Sequence, residues 1–292
     1  MDGLQQIKLI IIKDHQSLYL NLMDSLINKV KLFGSHFATM DIRQDSRVHN
    51  NVFNEIVKTS IKNKLDLFPN NYFELIETEQ IQYLSKVKGS IDLSNFSDKL
   101  VLNTLNTIKA IKKIQITNGE KAANRYIISN NKTALNVMQL FVMLKLVAFD
   151  KDLTIDICPL FETIEDLENA SDVMKSLYTN PTYLAHLQKR KLKQNIMLGF
   201  SDGTKDGGYL MANWAIYKAK QMLTSISRKN KVDVIFFDGR GGPPARGGGK
   251  THKFYASLGP SIESKEVQLT VQGQTISSNF GTLDSSKYNI EQ

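Results

Sequence analysis

The chain has one cysteine, Cys158, so no internal disulfide can form and a stapled secretory scaffold is excluded. A reducing, cytoplasmic compartment is the expectation. No stretch approaches the ~20 apolar residues that a membrane span needs. The apolar run Leu9 to Ile12 is short, ends at Lys13 and Asp14, and lacks the small-residue cleavage site of a signal peptide. The five histidines are scattered, so no zinc-ligand spacing exists. A Gly-x-Ser-x-Gly nucleophile elbow is also missing. There is no Pro/Ser-rich linker, low-complexity tract or short-period repeat, and the sequence reads as part of one domain.

What is present is enough to bury a core: 292 residues, 41% of them hydrophobic. The net charge of +8 favours an anionic partner, either phosphate, carboxylate, nucleic acid or a membrane surface. The competing reading is a solvated basic surface. Lys109, Lys112 and Lys113, and Lys189, Lys191 and Lys193, sit in helical stretches and fit outer faces.

A strand followed by a polar turn and then a helix recurs along the chain. The expected strands are His36–Met40, Arg125–Ser129, Leu153–Cys158, Asn195–Phe200 and Val232–Phe237, with a sixth at Val267–Val271. Leu18, Leu22, Leu26 and Val30 recur at helical spacing, with Gly34 as a stop. Ala134, Met138 and Phe141 make a second stripe, and Leu210, Trp214 and Tyr217 a third. Residues 52–120 lack a strong strand and read as a helical insertion. The pattern predicts an α/β fold: a partial (β/α)8 TIM-type barrel with extensive helical insertions, since eight strands are needed and five or six are found. In such barrels the chemistry sits where strands end. Here those ends carry Arg43, Glu162, Asp202, Lys205, Arg240 and Arg246.

Asp238-Gly239-Arg240-Gly241-Gly242-Pro243-Pro244-Ala245-Arg246-Gly247-Gly248-Gly249-Lys250 is the sharpest feature. Glycines bring backbone N–H groups close to an anion, and arginines grip phosphate or carboxylate in bidentate fashion. Pro244 stands where both a P-loop and a dinucleotide fingerprint need glycine, so both fail. A flexible surface loop and an RNA-binding RGG tract are the alternatives. RGG tracts are disordered, however, whereas this segment abuts the apolar strand Val234-Ile235-Phe236-Phe237.

A second cluster, Ser201-Asp202-Gly203-Thr204-Lys205-Asp206-Gly207-Gly208, precedes a helix expected to start near Tyr209. It reads either as an anion or metal site or as a turn with Asp206 as helix cap. A third, Pro159-Leu160-Phe161-Glu162-Thr163, places Glu162 after an apolar strand. Glu162 is either a ligand or a helix-start residue. Two carboxylates at consecutive strand ends, completed by water and substrate oxygens, suit Mg²⁺ or Mn²⁺. Cys158 is expected in the core.

These residues resemble a known family. Phe237 through Gly249 is similar to the phosphoenolpyruvate carboxylase signature FHGRGGxxGRGG, and Phe200 through Gly208 to that family's YSDSxKDAG. Pro159 to Thr163, Asp41-Ile42-Arg43-Gln44-Asp45-Ser46 and Val271-Gln272-Gly273 match in the same order, so five motifs run from 41 to 273. The resemblance implies a lyase that fixes bicarbonate onto phosphoenolpyruvate, giving oxaloacetate and phosphate, an anaplerotic reaction. It implies Mg²⁺ or Mn²⁺ on Glu162 and Asp202, with Arg43 and Arg240 on the phosphate. Arg246 is assigned to the carboxylation step, Gly241 and Gly242 to substrate binding, and Lys205 and Gln272 to support. No nucleic acid or membrane partner is implied, and the parent is expected to be a homotetramer. The family's Thr-Ala-His-Pro-Thr-Glu motif is missing, so the chain is expected to be an internal piece of the catalytic barrel, inactive alone. Asp238 stands where the family has histidine, and a carboxylate there is expected to pair with an arginine. That departure supports an alternative: a non-catalytic anion-binding module or a degenerate paralogue.

Overall fold

The computed structural model describes residues 1–150, 152–239 and 249–291. Six parallel strands form one sheet in sequential order: β1 (Asp41–Asp45), β2 (Arg125–Ser129), β3 (Asp156–Phe161), β4 (Lys193–Leu198), β5 (Asp233–Asp238) and β6 (Val267–Leu269). The helices are α1 (Asp2–Asp14), α2 (Leu20–Phe33), α3 (Ser46–Lys62), α4 (Glu77–Leu84), α5 (Lys99–Asn118), α6 (Ala134–Val147), α7 (Ile164–Thr179), α8 (Pro181–Lys189), α9 (Ser201–Lys229), α10 (Thr251–Ser257), α11 (Gly273–Phe280) and α12 (Leu283–Glu291). Three of them, α3 to α5, fill the connection between β1 and β2. Parallel strands in sequential order, most joined through helices, make an open arc of a (β/α)8 barrel.

The period-two alternation of the strands sorts the core. Ile127, Cys158, Leu160, Met197 and Phe237 form a small apolar cluster on the inner, concave face. Tyr126, Ile128, Ile157, Phe161, Ile196, Leu198, Val234 and Phe236 alternate with them and join the main core under the helices. Both faces are covered, which is why these strands read as near-continuous apolar runs. The sheet curves: the guanidinium of Arg125 on β2 donates to Asp41 on β1 at 2.8 Å and to Gln268 on β6, and lies 5.0 Å over the Phe237 ring of β5. One side chain reaches three strands only from inside an arc.

The first strand is Asp41–Asp45, not His36–Met40. Its inner positions carry charge, Asp41 opposite Arg125 and Arg43 opposite Ile127, so it reads as a polar turn. Phe37 is left-handed (φ 64°), which removes it from a strand. The third strand starts three residues later than Leu153 and ends at Phe161, while β4 and β5 lie within two residues of the expected bounds. Gly34 ends α2 with φ 56°, as expected of a glycine stop. Apolar on nearly every side, α6 is buried on all of them, with Val137 through Leu144 lying in the core. Among the described residues no helix is long and apolar enough to cross a membrane.

Candidate active site

Three strand ends meet at the C-terminal rim of the arc, and small residues let them approach. Gly199, just past β4, donates its N–H to Phe161 O at 2.8 Å. A Cβ on Gly199 would lie 3.1 Å from Glu162 Cα and Cγ, tighter than a side chain tolerates without a shift. Gly239, just past β5, lies against Leu198 O and Gly199 Cα. Gly203 packs toward Glu162 O. The ends of β3, β4 and β5 and the first turn of α9 are therefore in backbone contact.

Glu162 sits on this rim. Its Oε1 is 3.3 Å from Arg43 Nη2, and its Oε2 accepts the Asn130 backbone N–H at 2.8 Å. Arg43 lies on the inner-facing row of β1, in register with Ile127, and crosses over β2 to reach the carboxylate. Its side chain keeps half of its exposure, while Glu162 keeps 19%. The helix-start reading of Glu162 does not hold. The N-cap of α7 is Thr163, whose hydroxyl accepts from Asp166 N–H, and Asp166 accepts in return from Thr163 N–H. The Glu162 side chain takes no part in that cap and is held instead by Arg43 and the Asn130 N–H.

Asp202 occupies the first turn of α9, where its Oδ1 is 2.9 Å from Lys205 Nζ. Both side chains are substantially exposed, so this ion pair is weak and exchangeable. The helix begins at Ser201 rather than near Tyr209. Gly208 (φ 79°, ψ 173°) breaks it, so a second helical segment does restart at Tyr209. Gln272 is exposed at the N-cap position of α11 and its side chain makes no cap bond. Arg240, Gly241, Gly242 and Arg246 lie outside the described residues.

Among the described residues there is no cluster of three or more His, Cys, Asp or Glu side chains that would cage a metal. The two carboxylates expected to hold a dication, Glu162 just past β3 and Asp202 in the first turn of α9, are each paired with a cation, Arg43 and Lys205 respectively. By donor chemistry, two carboxylate side chains would suit a hard dication that takes its other ligands from water and substrate, not a fully protein-bound ion.

Sequence reasoning assigned no role to the polar turn at Asn130. That residue is left-handed (φ 53°), its O accepts from Ser46 Oγ at 2.5 Å, and its N–H holds Glu162. An Asn-Asn pair directly after a strand is the signal that marks such a turn. Also missed was the partner of Asp238. It is not an arginine: Lys220 Nζ lies 2.7 Å from Asp238 Oδ2, and each side chain is 3% exposed. Asp238 alternates with the inner-facing Phe237, so its carboxylate points into the helix layer. Cys158 is buried on the inner face with its thiol pushed up to about 12 by burial, so it is an inert core residue.

A partial (β/α)8 barrel with its arginine and carboxylates gathered at the C-terminal strand ends is the class in which chemistry is done on that rim. A family model described as phosphoenolpyruvate carboxylase matches residues 1–292. Three phosphoenolpyruvate carboxylases are similar to this chain. That of Nitrosomonas europaea is 35% identical over 270 residues, covering 89% of this chain and 28% of that protein. That of Gloeobacter violaceus is 31% identical, covering 92% and 29%. That of Nitrosomonas eutropha is 32% identical, covering 96% and 31%. The chain belongs to the phosphoenolpyruvate carboxylase family, and it spans about three tenths of the length of these relatives.

Proposed function

We propose that the full-length protein carboxylates phosphoenolpyruvate with bicarbonate, giving oxaloacetate and inorganic phosphate. The observation that carries this reading is the Arg43–Glu162 pair, set against the start of α9 where Asp202 lies. It joins a phosphate-gripping fork to a metal-binding carboxylate on one rim.

Arg43 and Arg240 hold the phosphate and offset its charge. A bicarbonate oxygen attacks phosphorus and the bond to the enol oxygen breaks, leaving carboxyphosphate and the enolate of pyruvate. Carboxyphosphate then yields carbon dioxide and phosphate. The enolate carbon attacks the carbon dioxide, with Arg246 facing the developing carboxylate. Glu162 and Asp202 would hold Mg²⁺ or Mn²⁺, which supplies Lewis acidity to the enolate charge. Lys205, beside Asp202, and Gln272 have support roles. Backbone N–H groups of Gly241 and Gly242 are assigned to the anion.

The route predicts that one oxygen of ¹⁸O-labelled bicarbonate ends in the released phosphate. Mass spectrometry of phosphate from the full-length protein tests this, and unlabelled phosphate alongside oxaloacetate would contradict it. The buried placement of Asp238 favours a second reading, a degenerate member that binds phosphoenolpyruvate without turnover. Binding with no oxaloacetate formed would select that reading.

A further inference from the structure

The last register pair of β1 and β2 is Asp45 with Ser129. One step further, Ser46 opens α3 and Asn130 is left-handed (φ 53°), so the ladder cannot continue. A side chain takes over: the buried Ser46 hydroxyl donates to Asn130 O at 2.5 Å. The Asn130 N–H donates to Glu162 Oε2 at 2.8 Å, and the Asn131 N–H returns to β3 through Leu160 O at 3.2 Å. Both main-chain polar groups of Asn130 are therefore committed, one to each neighbouring strand end.

The contacts close a ring. Arg43 Nη2 lies 3.3 Å from Glu162 Oε1, and Arg43 and Ser46 belong to the same strand end. The ring is uneven. Its Ser46 side is buried and short, whereas its Arg43 side is a longer contact from a half-exposed guanidinium, which water and other anions can replace. A main-chain N–H that donates to a carboxylate is charge-assisted and, unlike a long side chain, gives up no rotamer freedom to hold its place. Asn130 rather than Arg43 thus sets the direction of the Glu162 carboxylate.

We propose that Ser46 and Asn130 are positioning residues for Glu162. The Ser46 hydroxyl holds the Asn130 turn, and the turn fixes Oε2, leaving Oε1 as the oxygen that exchanges. Arg43 can then leave for an anion without the carboxylate losing its aim. Asparagine suits the position because it tolerates the left-handed conformation. Glycine tolerates it too, and a β-branched residue does not. The consequence for metal binding rests on the reading of Glu162 as a ligand given above.

The test takes the full-length protein with Ser46→Ala, Asn130→Val and Asn130→Gly. Mn²⁺ affinity is read by paramagnetic resonance, and exchange of the Asn130 amide in metal-free protein by deuterium uptake with fragment mass spectrometry. Ser46→Ala is expected to weaken Mn²⁺ binding about fivefold, the worth of roughly one hydrogen bond, and to speed Asn130 exchange by a similar factor. Asn130→Val is expected to weaken Mn²⁺ binding at least as much. Asn130→Gly keeps the turn and the N–H and is expected to bind Mn²⁺ nearly as wild type does, whereas general loosening would make glycine the worse of the two. Both Ser46→Ala readouts indistinguishable from wild type overturn the proposal, and that result stands even if Asn130→Val fails to fold. Asn130→Gly binding as weakly as a folded Asn130→Val also overturns it. A wild type that takes up no Mn²⁺ while Ser46→Ala exchanges faster refutes the ligand reading of Glu162 alone. Firm Mn²⁺ binding by wild type with both Ser46→Ala readouts unchanged refutes the positioning role alone.

Discussion

Arg43 and Glu162 stand 119 positions apart in the chain, yet the guanidinium of one lies 3.3 Å from the carboxylate of the other across the top of β2. The contact places the proposed phosphate fork and the proposed metal ligand on one rim. Replacing Glu162 with Gln keeps its shape and its bond from Asn130 N–H but removes the charge. In the full-length protein, titrated by Mn²⁺ paramagnetic resonance, metal affinity is expected to fall at least ~10-fold, by comparison with changes around metal ligands. An unchanged affinity would remove Glu162 from the metal site.

Arg43→Lys separates charge from geometry. Lysine keeps the positive charge but loses the planar fork. The expected outcome in steady-state kinetics is a KM for phosphoenolpyruvate raised about 10-fold, the worth of roughly one charge-assisted hydrogen bond. If Lys serves as well as Arg, bidentate phosphate binding is not the role of this position.

Gly199 is a point of close approach on the rim. Any Cβ there meets Glu162 Cα and Cγ at 3.1 Å and Phe161 O at 3.3 Å. Gly199→Ala is expected to destabilise by about 1–3 kcal/mol, the range for overpacking. It is also expected to weaken metal binding, because the neighbour that must move is the proposed ligand. Urea unfolding and metal titration on one preparation check both.

Asp238→His, the change that restores the family residue, is expected to fail alone. It leaves the buried Lys220 ammonium without its carboxylate, a break that costs about 3–5 kcal/mol in comparable buried pairs. Adding Lys220→Met removes the stranded charge and is expected to recover most of the loss in urea denaturation. Full stability of Asp238→His by itself would contradict the ion pair.

Two buried histidines set an acid limit. Burial lowers both His49 and His186 from 6.5 to about 4, Arg190 helping at His186. The unfolded chain binds those protons first, so their contribution to stability is complete above pH 6.5 and is lost as pH falls through the folded values near 4. Each adds a slope of up to ~1.4 kcal/mol per pH unit in that window. Urea midpoints are expected to drop between pH 6.5 and 4.5, and less so in His49→Gln, where the ring no longer has to stay neutral beside Tyr126.

Most of the frame was legible because strands buried on both faces announce themselves. The bounds of β2 were read to the residue, and β4 and β5 within two. The exception was β1, whose inner row carries Asp41 and Arg43, so strand and site look alike in sequence. The start of α9 was hidden by three glycines at 203, 207 and 208, which locally disfavour helix. Gly207 is nonetheless packed hard against Ile164, and tertiary contact overrides propensity there. At the site, carboxylates after apolar strands were visible. The Asn130 clamp and the Lys220–Asp238 pair were not, since each joins residues whose proximity only the fold creates.

The most direct test of the account is oxaloacetate formation by the full-length protein supplied with phosphoenolpyruvate, bicarbonate and Mg²⁺, run beside its Glu162→Gln and Asp202→Asn variants. The account predicts turnover in the wild type and a fall of about 100-fold or more in each variant, the scale seen when a charge-stabilising group is removed. Turnover undiminished in both variants would contradict the assignment of the metal and substrate site to this rim.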